Sequence, residues 1–404
     1  MSSTRRAAST PTVTIPFPKG PRYGPATERA VLALLRSGRL SDTGRGAAIG
    51  ELEDAFAKFT RTTHVLSFGS GTGSLMAALH GVRVTPDTGV LMSPMNWISA
   101  ILAAFHAGSY PIFGDIESTS PNLDPAAVTT ATNYSAVLVT HAFGIPARMD
   151  ALGAATTRPI VEDASHAHGA RYAGRPVGSW SAAGCFSLQG DKDVSGGEGG
   201  ILTTNDRAVY ERALTLGHHP HRLDAELTLP ELLPLAATGA AYKLRMPALS
   251  AVIAHEQLST LPARTAAAET NLAVLRQVLA RLGAPVAVSG LGSGSTRGWY
   301  RVPLTVAHPV ADPAALFAAC RTERIPVRPH YPDWLRSPLL HDRALLLDFW
   351  PHLRHSPYNP PDPDAFPNYH LARRQTLLIK VPTVSAPEYM EQVGNGLARV
   401  TTSH

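Results

Sequence analysis

Apolar residues fall into two rhythms along the first half of the chain. Residues 26–36 (ATERAVLALLR) repeat at helical spacing and stop at Ser37-Gly38, and residues 49–59 repeat that pattern after the turn Thr43-Gly44-Arg45-Gly46. Short, mainly apolar runs then recur at 64–68, at 90–92, at 110–113 before Asp115, at 136–140 before His141, at 160–161, at 183–187 and at 201–203. These predict strands. Helical spacing between and after them predicts helices over 75–80, 97–107, 147–154 and 207–216. Strands that alternate with helices predict βαβ units and a large, mostly parallel sheet covered on both faces. Such sheets bind ligands beyond the C-terminal ends of their strands.

Past this region the rhythm changes. Residues 218–235 (HHPHRLDAELTLPELLPL) are polar and proline-interrupted, which predicts a surface loop. Helices are expected over 248–258 and 264–282, the second connecting to another domain. The small-residue stretch 290–298 (GLGSGSTRG) reads as a loop. After it come a strand at 299–304, a helix at 313–322, a strand at 325–328, a loop at 330–334, a strand at 377–381 and a final helix at 386–399. The fold expected is α/β, with a disordered arm over 1–14, a large domain over 15–260 and a smaller α/β domain over 261–404.

Composition narrows the function classes. Across 404 residues, 44% are hydrophobic and 17% charged, the balance of a soluble globular protein. A net charge of +5 is scattered, with no basic run interleaved with aromatics, which argues against a nucleic-acid partner. No apolar run of about 20 residues occurs and the start lacks a signal-peptide core, so a cytoplasmic protein without a membrane partner is expected. Cys185 and Cys320 lie far apart without ligand spacing and read as free thiols of a reducing compartment. His218, His219 and His221 fit no single helix face and have no carboxylate placed to help, so a solvated or substrate-facing loop is expected there and no metal site.

The densest chemistry lies between Pro159 and Thr204. Its first strand ends in Glu162-Asp163, and Lys192 follows Asp163 by 192 − 163 = 29 residues, just before Ser195-Gly196-Gly197-Glu198-Gly199-Gly200. A strand-end acid and a lysine on a glycine-hemmed turn suit pyridoxal phosphate, the acid pairing with the ring nitrogen and the amine forming the Schiff base. A plain strand-end acid and a solvated lysine would look the same. Earlier, the strand at 64–68 runs into Gly69-Ser70-Gly71-Thr72-Gly73-Ser74, either a phosphate cradle or an ordinary helix cap. Trp97 opens a helix and could lie over a planar ring or pack in the core. Gly71, Thr72, Asp163 and Ser187 all map to the same sheet edge.

Four stretches together resemble the DegT/DnrJ/StrS family of sugar aminotransferases, pyridoxal phosphate enzymes of fold type I (the aspartate aminotransferase fold). They are Ser70-Gly71-Thr72, Glu162-Asp163-Ala164 with His168-Gly169-Ala170, Phe186-Ser187 through Lys192 to Glu198-Gly199-Gly200, and Arg245-Met246. The resemblance runs from about Pro18 to the C-terminus. It implies that Lys192 is the Schiff-base lysine and proton shuttle, that Asp163 holds the ring nitrogen, that Gly71, Thr72 and Ser187 hold the phosphate and that Trp97 stacks on the ring. It also implies a homodimer with shared active sites. Three positions depart from the family. His166 stands where glutamine usually faces the cofactor hydroxyl. Lys243 stands where an asparagine reaches the neighbouring subunit's phosphate. His330-Tyr331, expected to bind substrate, is followed by Leu335 where a second histidine is usual. Gln189 resembles members that act on cyclitol ketones. The expected activity is transfer of an amino group from glutamate or glutamine to a keto-sugar, keto-cyclitol or similar ketone in specialised metabolite (antibiotic-type) biosynthesis. The alternatives are another pyridoxal phosphate reaction on the same fold (decarboxylation, elimination or carbon–carbon bond formation) or a non-catalytic regulatory protein.

Overall fold

The computed structural model describes residues 10–240 and 242–403. Its strands in chain order are β1 (His64–Phe68), β2 (Gly89–Met92), β3 (Pro111–Phe113), β4 (Tyr134–Thr140) and β5 (Ile160–Asp163). A hairpin of β6 (Arg171–Tyr172) and β7 (Arg175–Pro176) follows, then β8 (Ala183–Ser187) and β9 (Gly200–Thr204). Seven of these make one sheet in the order β1-β9-β8-β5-β4-β2-β3. Only β9 opposes the rest, pairing antiparallel with both β1 and β8, while the other pairs are parallel. Every residue of β2 and β5 is buried, the signature of strands covered on both faces. The helix α3 (Gly71–Gly81) buries all but Thr72 and His80 against the sheet and the helix Arg207–Gly217.

A second sheet, β10 (Val286–Val288), β11 (Val302–Val306), β12 (Val327–Arg328) and β13 (Thr376–Ile379), is antiparallel throughout in the order β10-β11-β13-β12. The helices Pro313–Thr322 and Pro387–Thr402 pack into its core with the end of the long helix Ala248–Arg281. That long helix joins the two cores. Ala251, Ala254, Leu258 and Leu261 pack into the first, and Ala268, Leu272, Leu275 and Leu279 into the second.

Three local expectations change. The helices expected at 248–258 and 264–282 are one element carrying Pro262 inside it. Proline removes one helical hydrogen bond, but Pro262 is exposed, and both halves are fixed by separate cores. The expected loop at 218–235 contains the helix Pro220–Glu226, with Arg222 buried beneath it. The strand expected from residue 299 starts at Val302, because residues 299–301 are drawn toward the lysine turn. The expected arm lies outside the described residues as far as residue 9. Beyond it, Thr12 N donates to Glu323 Oε2 (2.8 Å), Val13 is fully buried and Thr14 N donates to Gln392 Oε1 (2.8 Å). No helix among the described residues is long and apolar enough to cross a membrane.

Candidate active site

Strand alternation sorts the two acids at the end of β5, since successive side chains point to opposite faces. Glu162 is fully buried and accepts from Gly178 N (2.7 Å), Trp180 N (2.9 Å) and Ser181 Oγ (2.9 Å). Its Oε2 also meets His141 Nε2 at 3.0 Å, and because Ala147 N donates to His141 Nδ1, Nε2 carries the proton. Glu162 is therefore a structural acid that pins the segment after the hairpin. Asp163 is 6% exposed, and its Oδ1 accepts only from the nearby Ser165 N (3.0 Å). It is left with capacity toward the sheet edge.

Lys192 sits in the turn after β8. Lys192 N donates to Gln189 O (2.9 Å), and Gly196 N donates to Leu188 O (3.0 Å), closing the turn on itself. Gly196 is required there, because a Cβ would stand 2.5 Å from Ser250 O. The Lys192 amine lies 4.1 Å from the centre of the Tyr300 ring. Enclosure lowers its pKa to about 8, against an opposing pull from Asp163 and a further push from Arg301. An amine poised near neutrality beside a carboxylate is chemically competent as a nucleophile and a proton carrier.

The structure brings the residues of the candidate phosphate cradle together. Ser70 caps α3, its Oγ accepting from Gly73 N (3.0 Å), which leaves the Gly71 and Thr72 N–H groups at the open helix end. Gly71 and Ser187 come together so closely that a Cβ on Gly71 would lie 2.7 Å from Ser187 Cβ. Trp97 caps the next helix and is 45% exposed, its ring centre 5.5 Å from those of Tyr331 and Trp334 in edge-to-face arrangements. An exposed indole beside an enclosed lysine, an under-used aspartate and a helix-end cradle fits a flat, phosphate-bearing aldehyde, so these residues suit pyridoxal phosphate.

His166 is buried, its ring parallel to Tyr300 at 4.1 Å, and Tyr331 Oη lies 2.9 Å from its Nε2 and 3.1 Å from its Nδ1. Burial, then Lys192 and Arg301, hold its pKa well below the usual histidine value, so the ring is neutral. We expect His166→Gln to keep activity within about tenfold, because one neutral hydrogen bond replaces another at ~1 kcal/mol. Wild-type rates should show no inflection from His166 between about pH 5 and 7. Kinetics of both proteins across that range check this, and a loss of more than about a hundredfold would refute a purely hydrogen-bonding role.

The structure places the other expected residues unequally. His330 Nε2 is engaged with Thr376 O at 2.7 Å, its Nδ1 is buried without a partner, and burial lowers its pKa to about 4. Tyr331 faces His166, whereas Leu335 is buried in the apolar cluster between the two sheets. Lys243 is exposed in the left-handed region (φ 53°), next to Leu244, whose carbonyl accepts from Gly69 N (2.6 Å) at the base of the cradle. It makes no ion pair among the described residues. His218 is buried edge-on to Phe68, His219 caps the helix Pro220–Glu226 and His221 Nδ1 meets Thr43 Oγ1 (3.0 Å), so the three histidines do not converge.

A set of contacts around the lysine turn escaped the sequence reading. Asp191 bridges Arg301 (2.6 Å) and Lys380 (3.0 Å), and Asp193 Oδ2 accepts from Trp299 N (2.9 Å). Together they hold residues 299–301 against the lysine turn and set Tyr300 over the amine. The signal was two acids flanking Lys192, but their partners lie more than a hundred residues away.

A family model for the DegT/DnrJ/EryC1/StrS aminotransferase family matches residues 22–346. The chain is 32% identical over 351 residues to an L-glutamine:2-deoxy-scyllo-inosose aminotransferase of Streptomyces paromomycinus, covering 83% of this chain and 82% of that one. Among solved structures, an aminotransferase from Psychrobacter cryohalolentis superimposes with a TM-score of 0.82 at 21% identity, covering 96% of this chain and 99% of that one. A 3-amino-5-hydroxybenzoic acid synthase does so with a TM-score of 0.81 at 23% identity, covering 96% and 99%. The chain belongs to the DegT/DnrJ/EryC1/StrS aminotransferase family.

Proposed function

We propose that this member of the family moves an amino group from glutamine or glutamate to the carbonyl of a keto-sugar, keto-cyclitol or similar polar ketone. We further propose that it works as a cytoplasmic homodimer in specialised metabolite biosynthesis. The observation that carries the reading is the enclosed Lys192 amine, lowered to about 8 within the field of Asp163 at the open edge of the sheet. Pyridoxal phosphate, when bound, supplies the electron sink that makes the substrate Cα–H acidic.

The chain's own residues do the rest. Gly71, Thr72 and Ser187 would hold the phosphate, and Trp97 would pack against the cofactor. Asp163 keeps the ring nitrogen protonated. His166, neutral and steadied by Tyr331, donates to the ring hydroxyl. Lys192 would take the proton from the donor Cα and, in the second half of the reaction, return a proton to the acceptor carbon that receives the amino group. Lys243, exposed and unpaired, reaches the partner subunit's phosphate, and His330 and Tyr331 line the acceptor side.

Purified holoprotein tests this directly. Glutamine or glutamate should bleach the visible band of the lysine-linked cofactor, and a polar ketone should restore it while the aminated product appears by mass spectrometry. If glutamine, glutamate and alanine all leave the spectrum unchanged, the reading fails.

A further inference from the structure

Asp115 lies just past the end of β3, in the first sheet, and its carboxylate caps a helix that leads into the second sheet. That helix, Pro367–Gln375, has no cap of its own. Phe366 stands at its N-cap position without a side-chain bond, and Pro367 has no N–H to offer. The N–H groups of Asn368 and Tyr369 donate instead across the seam between the sheets, to Asp115 Oδ2 and Oδ1, both at 2.9 Å. Ile116 N holds the same Oδ1 at 2.8 Å, and the Asn368 side-chain amide reaches back to the Ile116 carbonyl at 2.9 Å. Asp115 makes no ion pair among the described residues, so its charge is free to complement the positive end of the helix.

One turn further along, the same helix carries the loop that faces the site. Arg373 and Tyr369 share a helix face. Arg373 Nη1 donates to the Tyr331 carbonyl (2.8 Å) and to Tyr369 Oη (3.3 Å), and Tyr369 Oη donates to Asp333 Oδ1 (3.1 Å). His330 is tied to the carbonyl of Thr376, the residue after the helix. Residues 330–333 therefore hang on the helix Pro367–Gln375, and Tyr331 Oη reaches His166 from there. Around these bonds the seam is apolar, with Met95, Ile116, Phe143, Leu335 and Phe366 buried in it. Apolar packing is non-directional and lets packed elements slide. Two charge-assisted bonds to one carboxylate fix a single register. We propose that Asp115 is a positioning residue for the amino acceptor: by capping this helix from the first sheet it sets Tyr331 against His166. This role rests on the aminotransferase reading above for the reaction, but not for the placement of the loop.

Asp312 supplies the control, because it caps the helix Pro313–Thr322 beside the same sheet with the same pattern, accepting from Ala314 N and Ala315 N at 3.0 Å. On cofactor-loaded protein, Asp115→Ala and Asp312→Ala should lower Tm alike, by a few degrees. Only Asp115→Ala should raise KM for the keto-inositol or keto-hexose that wild type aminates, by about tenfold or more. Its cofactor band should still be bleached by glutamine within about twofold of the wild-type rate. Amide hydrogen exchange over residues 330–336, followed in apo and loaded protein, should quicken in Asp115→Ala and stay unchanged in Asp312→Ala. Arg373→Leu keeps the cap and cuts its link to Tyr331, so it should reproduce the KM effect, and the double variant should be no worse than the more affected single change. Asp115→Asn retains one acceptor oxygen and should fall between wild type and Asp115→Ala, which keeps the test open if the alanine variant does not fold. If the Asp115 variants change Tm alone, with acceptor KM within about twofold and exchange over 330–336 unmoved, Asp115 is an ordinary helix cap and the positioning role is overturned. Failure of every donor to bleach the cofactor band would instead remove the aminotransferase reading, with hydrogen exchange still deciding whether Asp115 places the loop.

Discussion

Replacing Lys192 with alanine is expected to lower amino transfer by about 10⁴-fold or more and to abolish the visible band of the lysine-linked cofactor. Two roles are lost at once, the covalent tether and the proton carrier, and no neighbour replaces either. Arg301 is committed to Asp191 and to the Tyr300 carbonyl. His166 is neutral and tied to Tyr331. The cradle at Gly71, Thr72 and Ser187 does not depend on the amine, so the variant should still retain cofactor noncovalently, with the free aldehyde's shorter-wavelength absorbance. Removing an enclosed cation should leave thermal stability unchanged or slightly raised, which separates a catalytic loss from misfolding. Spectra, steady-state rates and thermal melts on one preparation give all three readings. Activity within about tenfold of wild type would remove Lys192 from the chemistry.

The large domain was legible because its parallel strands are buried on both faces and so read as apolar runs, as at Val90–Met92 and Ile160–Val161. The candidate residues at those strand ends could be placed for the same reason: Asp163 and Ser187 close their strands, and Gly71 and Lys192 follow theirs within a few positions. What could not be read is what long-range contacts decide. Tyr300 looked like an ordinary strand residue, and only Asp193 and Asp191, acting on Trp299 and Arg301, hold that segment out of the strand and over the lysine. Pro262 looked like a helix end because local propensity disfavours proline, yet packing of both flanking halves into separate cores overrides one lost hydrogen bond. His330 was read as a substrate group from its place beside Tyr331, and one of its nitrogens is taken by the Thr376 carbonyl.

The segment 218–235 gives the second large effect. Arg222, 2% exposed, sits in a stretch that looked polar enough for solvent. It forms a two-pronged pair with Glu53, Nη1 to Oε1 at 3.0 Å and Nη2 to Oε2 at 2.9 Å, and its Nε donates to Glu226 (3.0 Å). Glu53 is 1% exposed and also accepts from Ser67 N and Ser67 Oγ, both at 2.9 Å, and from Arg45 Nε at 2.9 Å. The network therefore ties α2 (Ala47–Thr60) and the helix Pro220–Glu226 to β1, the strand that delivers Gly69, Ser70 and Gly71 to the cradle. Arg222→Ala leaves the Glu53 carboxylate buried with its main countercharge gone, which costs about 3–5 kcal/mol. In a chain of this size that corresponds to a fall in Tm of about 4–6 °C. Adding Glu53→Gln should recover part of the loss, since the buried charge left with Arg45 alone is removed, and the two changes should be strongly non-additive. Because β1 leads into the phosphate cradle, Arg222→Ala should also release cofactor faster on dilution than wild type does. Thermal melts of the apo and cofactor-loaded forms, with dialysis against buffer lacking cofactor, measure both effects. A destabilisation under about 1 kcal/mol would mean that water reaches Glu53 and that the pair is not the anchor its geometry describes.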